Sequence, residues 1–91
     1  MDIPVRPLNK IAADILVAWR DKYPNRQYPS FVIFSMPYVQ AMLDLKDADD
    51  TYGCEPADDI LIRFLHNAQG WRGEKARAIK FELNQHLENV K

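Results

Sequence analysis

Apolar residues recur with helical spacing along most of the chain. Leu8, Ile11, Ala12, Ile15, Leu16 and Trp19 follow the i, i+3, i+4, i+7 pattern of one buried helix face. Lys10, Asp14 and Asp21 fall on the opposite side, so the pattern predicts a helix over 8–22. Tyr23-Pro24-Asn25 ends it, and Pro29 prolongs the loop. Pro4 and Pro7 make residues 1–7 an extended arm.

Two more helices are expected in the second half, over 56–68 and 71–89, joined by a turn at Gln69-Gly70. Pro56 suits a first helical turn, where its missing N–H costs nothing. Ala57, Ile60, Leu61, Phe64, Leu65 and Ala68 form one wide apolar face, with Asp59, Arg63, His66 and Asn67 opposite. In the last helix Ala76, Ile79, Leu83, Leu87 and Val90 make the main stripe. Trp71, Ala78 and Phe81 make a second, which calls for another partner within the domain or outside it. Trp19, Ile60, Phe64, Ile79 and Leu83 are the expected core.

The run Phe31-Val32-Ile33-Phe34 fits neither period well. Its β-branched and aromatic residues favour a strand, yet the chain offers no second strand to pair with it. It is read as a short helical or irregular segment plugging the core. Ser35-Met36-Pro37 then resembles a capped helix start, with Ser35 as N-cap and a helix over 36–46. The fold class that follows is all-α, a single small domain of about four helices.

Ninety-one residues, 47% hydrophobic and 11% aromatic, suffice for one domain with a modest core. The net charge of −1 conceals a strong pattern. Asp44, Asp47, Asp49, Asp50, Glu55, Asp58 and Asp59 crowd one stretch against Lys46 alone. Basic residues gather later, with Arg72, Lys75, Arg77 and Lys80 in the last helix. No apolar run is long enough to span a membrane, and the N-terminal residues do not read as a signal peptide. A single cysteine excludes an internal disulfide and argues for a reducing compartment. A cytoplasmic location is therefore expected.

Candidate chemistry is sparse. Asp47, Asp49 and Thr51 mimic the start of a calcium-binding EF-hand loop, but Tyr52 replaces the required glycine and Asp58 the closing glutamate. His66 and His86 lie on different expected helices, and with one cysteine no zinc spacing arises. Cys54 has Asp50, Glu55 and Asp58 around it and no activating base or cation. With three glycines there is no phosphate-cradling loop, and no hydrolase nucleophile motif occurs. No catalytic residue, metal or cofactor is expected. A helix-turn-helix reading has Arg72, Lys75, Arg77 and Lys80 facing nucleic acid. Glu74, Glu82 and Glu88 dilute that surface, and His66 and Gln69 stand where small or apolar residues are wanted.

Asp49-Asp50-Thr51-Tyr52-Gly53, then Phe64-Leu65-His66-Asn67-Ala68, then Trp71-Arg72-Gly73-Glu74 with Ala76-Arg77 and Ile79-Lys80 carry a family resemblance. From Asp49 to Lys91 the chain resembles small phage and prophage proteins to which no activity is attached. Their pattern runs YG, FL-x-NA-x-x-WRGE, AR-x-IK-x-EL. The missing motifs argue for a non-catalytic protein, and the resemblance together with the small size implies one that binds a host protein or complex. Inhibition of a host enzyme or of an anti-phage defence complex, as by anti-CRISPR or anti-restriction proteins, is a common role among such proteins. The acidic stretch is the expected contact surface, a homodimer stays open, and nucleic-acid binding through the basic helix is the alternative.

Overall fold

The computed structural model describes residues 6–89. Its elements in order are α1 (Leu8–Lys22), α2 (Ser30–Met42), β1 (Thr51–Tyr52), β2 (Glu55–Pro56), α3 (Ala57–Asn67) and α4 (Glu74–Asn89). Over the described residues the protein is a mostly α single domain of four helices with one very short hairpin. The expected arm at 1–7 and the stripe residue Val90 lie largely outside the described residues; Arg6 and Pro7 alone represent the arm.

α1 has the bounds its periodicity predicts. Leu8, Ile11, Ala12, Ile15 and Trp19 are buried on one face. Its N-terminus has no side-chain cap. Instead the Leu8 N–H donates to the Lys46 carbonyl at 2.8 Å, so the loop after α2 satisfies one of the helix's free donors. α3 matches its expected span to within a residue at each end and begins directly after Pro56.

α2 corrects the reading of the second helix. The helix expected over 36–46 starts six residues earlier, at Ser30, and ends at Met42. Ser35 is no cap: it is fully buried in mid-helix. Pro37 sits inside the helix, where it removes one N–H but does not end it. Packing of Val32, Ser35, Val39 and Met42 against α1 and α3 outweighs the loss of that bond. The notion of a core plug at Phe31–Phe34 is corrected too. Val32 is buried and Phe31 half-buried, but Ile33 is 58% and Phe34 64% exposed.

The hairpin was not foreseen in the sequence. Thr51 pairs with Pro56 and Tyr52 with Glu55, around Gly53-Cys54. Gly53 has φ +62° and Cys54 does not share that sign, the φ pattern of a type II′ turn. The Ala57 N–H closes the loop on the Asp50 carbonyl at 2.9 Å.

α4 starts at Glu74, not at 71. Trp71 is buried in the connection before it. The second stripe proposed with Trp71 is therefore dissolved: Ala78 and Phe81 face solvent. The five expected core residues, Trp19, Ile60, Phe64, Ile79 and Leu83, are each at most 1% exposed. Their centre is aromatic. Trp19 stacks on Phe64 with centroids 6.3 Å apart and meets Phe31 and Trp71 edge-on at 6.2 and 5.4 Å. One indole thus ties α1 to α2, α3 and the α3–α4 connection. Gly70 leaves room for this: a Cβ there would come within 3.1 Å of the Phe31 ring.

Candidate interaction surfaces

The seven carboxylates follow one another through the loop after α2, the hairpin and the first turn of α3. Asp44, Asp47, Asp49, Glu55 and Asp59 are exposed; Asp50 and Asp58 are partly covered. Three of them shape the backbone. Asp47 Oδ1 accepts from the Asp49 N–H at 3.0 Å. Asp50 accepts from Lys46 N–H at 3.2 Å and Thr51 N–H at 2.9 Å. Asp58 Oδ1 accepts from the Asp59 N–H at 2.9 Å. These local bonds are the usual work of aspartates in turns. Asp44, Asp49, Glu55 and Asp59 have no such bond, and among the described residues no ion pair involves any of the seven. No basic side chain therefore lies within ion-pairing distance of these carboxylates among the described residues.

The basic set is arranged differently. Lys75 Nζ pairs with Asp14 Oδ2 at 2.9 Å. Lys80 Nζ donates to the Trp71 carbonyl at 2.7 Å, fastening the α3–α4 connection. Burial, and then the Arg72 charge, lower the pKa of that ammonium. Arg72 and Arg77 are exposed and in no ion pair among the described residues. Half of the candidate phosphate-binding set is thus already engaged inside the protein. The connection from Asn67 to Glu74 is also six residues long, against the three or four of a helix-turn-helix.

A polar seam escaped the sequence reading altogether. Arg6 Nε donates to both carboxylate oxygens of Glu82 at 3.0 and 3.1 Å, and its Nη1 to Asp14 Oδ2 at 3.2 Å. Lys75 joins the same Asp14 oxygen. His86 is 7% exposed, with Nε2 2.7 Å from the Arg6 carbonyl oxygen, so that nitrogen carries the proton and donates. The seam closes α4 over the start of α1. Its partners lie up to 80 residues apart, and nothing in local spacing announces them. His66 is exposed on α3, as its position on the polar side predicts. Cys54 is exposed in the hairpin turn. Among the described residues no three His, Cys, Asp or Glu side chains converge as metal ligands. No helix of the described residues is long and apolar enough to cross a membrane.

No family model matches the chain, and no curated protein or solved structure matches it.

Proposed function

We propose that the protein is a non-catalytic binding protein whose acidic stretch docks on a basic groove of another protein. One observation carries the reading: seven carboxylates in a single stretch from Asp44 to Asp59, none in an ion pair among the described residues. Charge of one sign on a small surface steers a partner of opposite sign and raises its association rate. A groove that holds phosphate backbone is a surface of that kind. Occupying such a groove would inhibit the enzyme or complex that owns it, the role expected of a small phage-like protein in its host's cytoplasm, including the anti-CRISPR and anti-restriction roles. The nucleic-acid alternative is supported less well, because Lys75 and Lys80 already have internal partners.

Charge reversal tests the proposal. Asp44, Asp49 and Asp59 are suitable because their side chains hold none of the local turns. The wild-type chain and a triple Asp→Lys variant at these positions serve as baits in a bacterial lysate, and heparin or mixed-sequence DNA serves as competitor. The expected result is a protein captured by the wild type, displaced by the polyanion and lost with the variant. Equal capture by both baits would refute the acidic-face reading. In a separate titration at low salt, mixed-sequence duplex DNA should bind no tighter than about 10⁻⁴ to 10⁻⁶ M. Submicromolar DNA binding lost in Arg72→Ala and Arg77→Ala would move the assignment to nucleic acid.

A further inference from the structure

From Gln27 to Leu43 the chain carries no charged side chain, although 27% of all residues are charged. α2 occupies almost all of that stretch. The other helices place charges on their outer faces: Lys10 and Arg20 on α1, Asp59 and Arg63 on α3, Glu74 and Arg77 on α4. The outer face of α2 is Ser30, Ile33, Phe34, Pro37 and Gln40, running on to Leu43 and Asp44, all exposed. Its two largest side chains are the most exposed large apolar residues described, Phe34 at 64% and Ile33 at 58%. Pro37 has no N–H, so the Ile33 carbonyl lacks its usual i+4 helical donor.

We infer that this face binds a second copy of the chain, α2 against α2 and antiparallel about a two-fold axis near Met36 and Pro37. The charge pattern selects this occupant. At a two-fold contact every group near the axis meets its own copy, so a charge there would face a like charge. The centre of α2 has none, and interface centres are depleted of charge in general. Opposite charges stand at the two ends: exposed Arg26 precedes the helix and exposed Asp44 follows it. Antiparallel packing brings Arg26 of each copy toward Asp44 of the other, and it opposes the two helix dipoles favourably. In the same register Ile33 is level with Gln40 of the second copy. Gln40 makes no hydrogen bond through its side chain among the described residues, so its amide is free to bond across the contact. Phe34 falls between Pro37 and Gln40 of the second copy. The inference does not rest on the acidic-face reading; only Asp44 is common to both.

One helix face is roughly half of the standard ~800 Å² per partner, which puts the dimer at the weak, transient end of protein contacts. Sedimentation velocity on the full chain, from about 5 to about 500 µM, should show a monomer–dimer equilibrium in that range. Phe34→Asp and, independently, Gln40→Glu should each weaken it about tenfold or more with no change in melting temperature at about 5 µM, where the chain is mostly monomeric, because both positions are exposed. Arg26→Glu should weaken it by a few-fold, and Arg26→Glu with Asp44→Arg should restore it, the sign of antiparallel pairing. A chain monomeric throughout, a dimer indifferent to both Phe34→Asp and Gln40→Glu, or a charge swap that fails to restore would each overturn the inference.

Discussion

Arg6 grips both oxygens of Glu82, at 3.0 and 3.1 Å, across 76 residues of sequence. The contact is the closing stitch between the start of the described chain and α4. The Arg6 side chain is 42% exposed, so water screens the pair and its contribution is modest. A double-mutant cycle with Arg6→Ala and Glu82→Ala should give a coupling of about 0.5–1 kcal/mol in urea unfolding. Additive single effects would mean that the side chains do not meet in solution.

Asp14 answers to Lys75 and Arg6 together. Burial alone would raise its carboxyl, but those two cations hold it below its ordinary value of 3.8. A carboxylate depressed in the folded state contributes stability above its unfolded pKa and loses it as pH falls through the folded one. Asp14→Asn should therefore destabilise the protein at pH 7, and the gap to wild type should shrink from about pH 4 downward. Urea midpoints at pH 7, 4 and 3 check this. A gap independent of pH would disconnect the Asp14 charge from folding.

Phe64 stacks on Trp19, the hub of the aromatic cluster, and is fully buried. Phe64→Ala should cost about 3–5 kcal/mol, the lost transfer energy plus the cavity left behind. Phe81 offers the contrast, since it is 54% exposed on α4. Phe81→Ala should change stability by no more than about 0.5 kcal/mol. Equal costs at the two sites would reverse the inner and outer faces assigned to the helices.

Ser35 separates two readings of one residue. As an N-cap it would lose about 1 kcal/mol on replacement by alanine. In mid-helix its buried Oγ has no hydrogen-bond partner among the described residues, and that desolvated hydroxyl is a cost to the fold. Alanine removes the hydroxyl and is the better helix former. Ser35→Ala should raise stability by about 0.5–1 kcal/mol, read as a higher urea midpoint. A lower midpoint would place the hydroxyl in a hydrogen bond.

α1 was legible because its five buried side chains sit at helical spacing with charges opposite. α2 was not, because its sequence has no polar side to set a period; its buried face is fixed by α1 and α3, which no local window contains. Pro37 misled for a related reason. Within a short window a proline after serine marks a helix start, and only tertiary packing keeps the helix running through it. The acidic stretch was legible as composition, but not the division between aspartates that hold turns and those left free, which depends on the hairpin. Lys75 and Lys80 looked equivalent to Arg72 and Arg77 until Asp14 and the Trp71 carbonyl came within reach of them.

The Trp19–Trp71 pair also makes the protein its own optical reporter. The chain has two tryptophans, and their rings lie 5.4 Å apart at 74°. Indole transitions so close and so inclined couple, which splits their circular dichroism into a paired band of opposite signs. That band disappears once α1 parts from the α3–α4 connection, even if every helix keeps its own hydrogen bonds. Loss of the couplet ahead of helical ellipticity on heating would reveal a state that is helical but unlocked, with no label attached to the chain.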